Sequence, residues 1–307
     1  MSKIKILQDR AAMFAQARAF FAQRGVVEVD CPALSHAACV DTHIDVMSVE
    51  MGRNQTGYLH TSPEYGMKRL LAQGMEDIYQ LSHVFRKGEL SARHEPEFTM
   101  VEWYRRGFSF EKMINETLAF THLFLGERPS QTFTYREVVQ EYAGIDYVSA
   151  DTQALLRSAE KQGLELSQDT RKSDRDTLLQ CLMSFLVEPK LPHEKLIVIR
   201  DYPATQAALA KTHLRGDEEV AERFEIYFNG LELANGYHEL ADAKEQKRRF
   251  EEANVERQKL GKEALPIDEN FLAALKRGLP DCCGVAVGFD RLMMLRHGVI
   301  EIQDVIP

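Results

Sequence analysis

The segment EIYFNGLELANGYHEL, residues 225–240, constrains this chain more than any other. Asn229–Gly230 sits between two runs of strand character, and Asn-Gly fits a type I′ turn, in which both central residues need φ > 0. A hairpin, and with it an antiparallel pair, is expected here. A two-residue turn predicts that Phe228 faces Leu231, Tyr227 faces Glu232 and Glu225 faces Ala234. Side chains two apart share a face, so Glu225 and Glu232 become diagonal neighbours within reach of one ion. Two carboxylates that close repel unless a cation or a base joins them. Magnesium suits the pair, because it takes one or two carboxylates together with substrate phosphates. A solvent-exposed hairpin face accounts for them equally well from this stretch alone. Asn235 and Glu239 fall on the opposite parity. Gly236 between them marks a bulge that would re-aim both toward the same site, where an amide and a carboxylate suit a cationic substrate; a surface Asn and Glu near a strand end is the plainer alternative.

Strand signals recur elsewhere, with helices beside them. VVEVDCP (26–32) reads as a strand ended by Pro32, DIYQLSHVFR (77–86) alternates as a strand, and KLIVIRDYP (195–203) restarts strand character. Residues 8–24 read as a helix with Met13, Phe14, Ala17, Phe20 and Phe21 on one stripe and Gly25 as its stop. Residues 33–57 read as irregular. Ser62–Pro63–Glu64 reads as a helix start, with Ser62 as N-cap and an acid near the positive end. Residues 109–125 and 171–187 read as helices, and 242–260 as a highly charged, solvated helix. The middle, about 107–190, is mostly helical and reads as an insertion or cap. Hairpin-joined strands with helices beside them predict an α+β fold with a mainly antiparallel sheet. The strand and long-helix alternation of a Rossmann sheet is absent.

Composition narrows the partners. Of 307 residues 44% are hydrophobic, ample for a large core in one big domain or two ordinary ones. A net charge of −9 argues against a broad nucleic-acid footprint, although it leaves room for a local basic patch. The five cysteines, Cys31, Cys39, Cys181, Cys282 and Cys283, are odd in number and lack CxxC spacing, so neither a disulfide framework nor a zinc site is expected. No charged-then-apolar leader opens the chain and no apolar run nears the roughly 20 residues of a membrane span. A cytoplasmic protein is expected.

FRKGELSARHEPEFTMVEWY, residues 85–104, combines an arginine-rich end with an aromatic–carboxylate stripe. Arg86 closes one strand, Arg93 and His94 sit in a loop, and Phe98, Met100, Glu102 and Tyr104 line one face of the next strand. An arginine suits a phosphate and a phenylalanine suits a flat base. GVAVGFDR, 284–291, resembles a phosphate loop only weakly, since it lacks the P-loop lysine. Gly284 and Gly288 permit close approach to a strand. Arg291 at a helix start opposes the dipole, which points to another task, an anion or a π face. With the paired carboxylates, these pieces describe an ATP site on an antiparallel sheet.

The order of a helix–strand–proline unit ending at Pro32, then FRKGELSARHEPEF, then GVAVGFDR, resembles motifs 1, 2 and 3 of class II aminoacyl-tRNA synthetases. TSPEYGMKRL, RHEPEFTMVEWY, ELANGYHEL and GVAVGFDRL are most similar to the substrate-site segments of its lysyl branch. The resemblance covers nearly the whole chain. It implies a class II catalytic core, a mainly antiparallel sheet flanked by helices, as a single domain over 1–307 with a mostly helical insertion around 107–190. It implies ATP and Mg2+ as cofactors. Arg86 would hold the α-phosphate, Phe98 would stack under adenine with Arg291 above it, and His94 would lie near the outer phosphates. Lys87, Gly88, Glu89, Glu95, Glu232, Leu233 and Gly288 complete the implied ATP site, and Glu225 and Glu232 the implied metal site. Ser62, Pro63, Glu64, Glu102, Tyr104, Asn235, Glu239 and Ala286 would form the amino-acid pocket, where carboxylates pair with substrate ammonium groups.

The departures sharpen the expectation. The motif 1 helix begins almost at Met1, so the N-terminal OB-type anticodon-binding domain of the lysyl branch is expected to be missing. Ala286 stands where that branch has the middle of three glycines. Gly88 stands where motif 2 commonly has an acid, which here is Glu89, and Glu95 replaces an asparagine. The first two features are similar to the family of lysyl-tRNA synthetase paralogues that modify elongation factor P. That similarity implies activation of (R)-β-lysine, transfer to a lysine side chain of elongation factor P, a homodimer, and no tRNA charging. An α-lysine-activating synthetase-like enzyme and an inactive regulatory paralogue stay open. Arg86, Glu225, Glu232 and Arg291, all present, favour retained ATP chemistry, and Ala286 weighs against a tRNA enzyme.

Overall fold

The computed structural model describes residues 2–171 and 173–307. The chain forms two compact units, one of Met1–Gly126 with His238–Pro307 and one of Glu127–Tyr237. Each is α+β and its strands pair mainly antiparallel, as expected.

In the first unit, Ile78–Phe85 pairs antiparallel with Glu97–Arg106, which pairs antiparallel with Cys282–Gly288. The short strand Val27–Glu28 joins the far edge parallel to Ile78–Phe85. The first helix, Lys3–Ala22, starts five residues before the expected position and stops two residues short. Its stripe is as read: Met13, Ala17, Phe20 and Phe21 are buried, and Phe21 stacks on Tyr79 with ring centroids 4.1 Å apart. Phe14 stacks on Phe289 at 4.4 Å. The guanidinium of Arg10 lies 5.1 Å from the centroid of each of those two rings; it ion-pairs with buried Asp290 and donates to Thr99 Oγ1 at 2.7 Å and to the Val305 carbonyl at 3.3 Å.

Residues 33–57 are not wholly irregular. Leu34–Ser35, Ser48–Glu50 and Thr56–Leu59 form a small antiparallel sheet, whose strands of two to four residues are too short to show a period. Ser62 is not a helix cap. The helix Glu64–Ala72 begins one residue later than expected, after Pro63, with no side-chain cap. The expected helix at 109–125 is Phe110–Leu125, capped by Ser109, whose hydroxyl accepts from the Lys112 amide. The charged helix is Ala243–Lys259, capped by Asp242.

In the second unit, Ser130–Thr134 lies parallel to Leu196–Pro203, which pairs antiparallel with Glu218–Phe228, and that strand turns into Leu231–His238. Asn229 and Gly230 have φ of 50° and 67°, as a type I′ turn requires. The expected helix 171–187 is shorter: an α-helix over Arg175–Leu182 continues as a π-helical turn, Met183–Val187. Residue 172, inside the expected span, lies outside the described residues. Ser130–Thr134 also interrupts the helical middle segment. No helix among the described residues is long and apolar enough to cross a membrane.

Candidate active site

The first unit builds a pocket on one face of two strands. Tyr104 pairs with Gly284, Glu102 with Ala286 and Met100 with Gly288. Directly opposed residues share a face, so the aromatic–carboxylate stripe lies beside three small residues. Gly284 is where closeness is required. A Cβ there would stand 2.3 Å from the Tyr104 ring and 2.4 Å from Glu239 Oε1, whereas one at Gly288 would meet Arg291 at an ordinary 3.5 Å. On the other side of the central strand, Gln80 pairs with Glu102. Buried Gln80 accepts from the Cys31 amide at 2.7 Å and donates to Ser82 at 3.1 Å, so it fixes the chain just before Pro32.

The pocket is strongly acidic. Glu102 and Glu239 are each 2% exposed. Tyr104 donates to Glu102 Oε1 at 2.7 Å, while Glu102 Oε2 and Glu239 Oε1 are buried without a hydrogen-bond partner. Lys68, fully buried, lies 2.6 Å from Glu64 Oε1 and 2.5 Å from Glu239 Oε2. Neither Lys68 nor Gln80 was named by the sequence reading. The signal for Lys68 was its i,i+4 spacing from Glu64 on one helix, and for Gln80 its parity with Ser82 in DIYQLSHVFR.

Burial, reinforced by the charges of Glu64 and Glu239, holds the Glu102 carboxyl well above the ordinary carboxylate range. Burial also raises Glu239, and Lys68 only partly offsets it, so that it is pushed up to about 7. Ionising Glu239 therefore costs the empty protein stability, a cost absent below its unfolded value of 4.5 and complete once pH has risen through about 7. A cationic ligand needs that ionised form. We expect the apparent affinity for a dicationic amino acid to fall about tenfold or more per unit as pH drops below 7, because binding must then release at least one proton, while KM for ATP changes less. Steady-state kinetics from pH 6 to pH 8 measure it, and a flat KM profile for the amino acid would contradict the assignment.

The basic end of the site lies in the same unit. The Arg86 amide donates to the Pro96 carbonyl at 2.8 Å, which closes the base of the loop. The Arg86 guanidinium lies 5.1 Å from the Phe98 ring centroid and 4.0 Å from Glu89. Its Nε is buried without a hydrogen-bond partner. The cation resting on Phe98 is thus Arg86. Arg291 reaches His94 instead, with Nη2 2.7 Å from Nε2, and His94 Nδ1 is 2.8 Å from Ser91 Oγ. A guanidinium can only donate, so Nε2 accepts and Nδ1 carries the proton toward Ser91. Burial first, and the Arg291 charge second, lower the His94 pKa and favour this neutral ring. Gly88 has φ of +82°, a left-handed turn position that an acid would strain. The neighbouring Lys87 amide donates to the Asp45 carbonyl at 2.8 Å, and Glu95 accepts from Gln303.

The second unit carries the hairpin residues, and here the expected register needs two corrections. Phe228 faces Leu231 and Tyr227 faces Glu232, as read, but Glu225 faces Asn235 and Ile226 faces Ala234. The bulge lies at Leu233, whereas Gly236 pairs regularly with Phe224. The extra residue turns Asn235 onto the face of Glu225, three residues before the predicted place. Asn235 Oδ1 is buried there without a hydrogen-bond partner. Glu225 is buried, and the base that relieves it is Arg223. Its carboxylate also accepts from Tyr202 at 2.6 Å and from Tyr227. Among the described residues no group of three or more metal-ligating side chains forms a cage. Two carboxylates on one face fit a magnesium ion that takes its other ligands from phosphates, although Glu225 is already engaged by Arg223, Tyr202 and Tyr227.

Comparison with known proteins places this arrangement in a family. Residues 2–307 match the family described as tRNA synthetases class II (D, K and N), and the chain belongs to that family. It is 47% identical over 308 residues to the elongation factor P–(R)-β-lysine ligase of Haemophilus influenzae (strain PittGG), covering 99% of this chain and 94% of that protein. Proteins of the same name from Avibacterium paragallinarum and Salmonella paratyphi B (strain ATCC BAA-1250 / SPB7) are 45% and 46% identical over 310 residues, each covering 99% of this chain and 95% of the relative.

Proposed function

We propose that this chain is an ATP-dependent ligase that activates (R)-β-lysine and transfers it to a lysine side chain of elongation factor P. The observation that carries the substrate reading is the pair of buried, unpartnered carboxylate oxygens, Glu102 Oε2 and Glu239 Oε1. A buried charge left unpaired costs several kcal/mol, and an ammonium group supplies the missing partner. Ser62, Pro63, Glu64, Tyr104 and Ala286 complete the pocket of the first unit in this reading, and Asn235 is offered to the same substrate class by the second.

The substrate carboxylate attacks the α-phosphorus of ATP. A new P–O bond forms, the bond to the β-phosphate oxygen breaks, and pyrophosphate leaves. Arg86 holds the α-phosphate oxygens as their charge develops. Phe98 stacks against adenine, so Arg86 leaves the ring for the phosphate when the nucleotide enters, and Arg291 covers the other face. His94 then donates toward the outer phosphates. Glu89 meets the adenine edge, and Leu233 is the second unit's contribution to nucleotide binding. Lys87, Gly88, Glu95 and Gly288 shape the same nucleotide site. Magnesium would be held by Glu232 and Glu225 and would supply charge neutralisation for the phosphates. In the second half-reaction the lysine amine of the protein partner attacks the acyl carbon, AMP leaves, and the amine loses its proton. Neither half needs a covalent enzyme intermediate; positioning and charge stabilisation suffice. In this reading the acceptor is a protein lysine and not a tRNA, and the working form is a cytoplasmic homodimer.

ATP–pyrophosphate exchange tests it, comparing (R)-β-lysine with α-lysine. Strong preference for the β-amino acid is expected, and preference for α-lysine would sink the reading. Ala286 supplies a second handle. It pairs with Glu102, so its methyl stands beside a substrate-facing carboxylate. Ala286→Gly should narrow the preference for (R)-β-lysine over α-lysine by about tenfold, the scale of one methyl group in a packed pocket. An unchanged ratio would show that the methyl only fills space.

A further inference from the structure

Lys68 takes no part in the reaction as derived so far, yet its side chain is 0% exposed and two carboxylates converge on it. One carboxylate would be enough to compensate a buried ammonium. Glu64 approaches from its own helix and Glu239 from beyond the hairpin strand. The other groups that face this cluster are Glu102 and Tyr104 on the Glu97–Arg106 strand and His238 beside Glu239. The thiols of Cys31 and Cys39 lie behind it, pushed up by burial to about 11 and about 12 and so uncharged. Among the described residues the cluster thus sets three carboxylates, Glu64, Glu102 and Glu239, against the buried ammonium of Lys68.

We propose that Lys68 is a positioning residue, an internal counter-ion that holds Glu64 and Glu239 in one geometry and cancels one of the three carboxylates, leaving a charge deficit that a diamine substrate fills. The proposal rests on the substrate class given above. A β-lysine molecule carries two ammonium groups, one for each carboxylate that Lys68 leaves uncancelled. Until it arrives the empty pocket favours protons: burial raises the Glu102 carboxyl well above the ordinary carboxylate range, and Glu239 titrates near 7. Binding of the diamine therefore expels protons into solvent. A monoamine leaves one carboxylate protonated and expels fewer. The selection is one of charge count, separate from the fit of the substrate backbone beside Ala286.

Lys68→Met removes the charge and keeps the length. In pyrophosphate exchange the acid limb of kcat/KM for (R)-β-lysine should move to higher pH by about one unit or more, as for a carboxylate that loses a nearby opposite charge. KM for the amino acid at pH 7 should rise about tenfold or more, with KM for ATP unchanged. Lys68→Arg should largely restore the profile. A Lys68→Met protein with a lowered Tm but the wild-type pH profile and KM would overturn the proposal and leave Lys68 a purely structural ion pair. Calorimetry of the wild type, in buffers of differing ionisation enthalpy, decides the matter where the methionine variant does not fold. Between one and two protons released per (R)-β-lysine, and fewer with 3-aminohexanoate, are expected; no release overturns the proposal. Failure of the wild type to exchange with (R)-β-lysine would bring down the substrate reading and the proposal together, whereas wild-type exchange with an unshifted Lys68→Met profile brings down the proposal alone.

Discussion

Arg86→Ala should lower (R)-β-lysine-dependent pyrophosphate exchange by about 10²–10³-fold, the range for removing one preorganised donor from a developing charge. The guanidinium is held by geometry that survives the substitution. The hydrogen bond that the residue's backbone N–H donates to the Pro96 carbonyl fixes the base of the loop, and Phe98 stays on its strand. The fold should therefore stand, with Tm within a few degrees of wild type. What disappears is a charge whose Nε is buried without a hydrogen-bond partner. An arginine gains a charge-assisted hydrogen bond when a phosphate oxygen arrives. The loss should fall mainly on kcat, because the bond strengthens as negative charge builds at the α-phosphorus. Arg86→Lys should recover only part, since a lysine cannot grip two oxygens at once. Exchange rates within threefold of wild type for the alanine variant would remove Arg86 from the chemistry.

Gly284→Ala should raise KM for the amino acid by about a hundredfold or more, equivalent to losing one charged hydrogen-bonding contact in a buried site. The added methyl would stand 2.3 Å from Tyr104 and 2.4 Å from Glu239 Oε1, closer than real carbon atoms approach. Neither neighbour can retreat cheaply. Tyr104 is tied to Glu102 through its hydroxyl, and Glu239 is tied to Lys68. The overpacking should cost about 1–3 kcal/mol of stability. ATP binding, measured by equilibrium titration, should change little, because the strain falls at the amino-acid end. A variant with normal KM for (R)-β-lysine would mean that the pocket does not use the wall formed by Tyr104 and Glu239.

The elements that were legible are those whose chemistry is local. Asn229–Gly230 dictates its turn, Ser109 and Asp242 cap their helices, and the alternation in residues 98–104 places Glu102 and Tyr104 on one face. What escaped depends on partners far away in the chain. The bulge at Leu233 has no glycine to mark it and is fixed by pairing with Glu218–Phe228. Gly236, which looked like the bulge, is an ordinary ladder residue. The small sheet within residues 34–59 consists of strands too short to carry a pattern. Ser62 looks like a cap, but Pro63 follows it and the helix opens one residue later. Lys68 is marked in the sequence only by its i,i+4 spacing from Glu64, and its second partner, Glu239, lies far along the chain.

The order of strands within the first unit has a consequence for synthesis. Glu97–Arg106 receives its second neighbour, Cys282–Gly288, only after about 180 further residues have left the ribosome, which at ordinary elongation rates takes on the order of 10–35 s. All of Glu127–Tyr237 emerges in that interval. For that time the strand carrying Phe98, Glu102 and Tyr104 has one unpaired edge, a template for wrong partners. Nascent chains stalled before residue 282 should therefore engage chaperones heavily, and the burden should ease once Gly284 can slide against Tyr104.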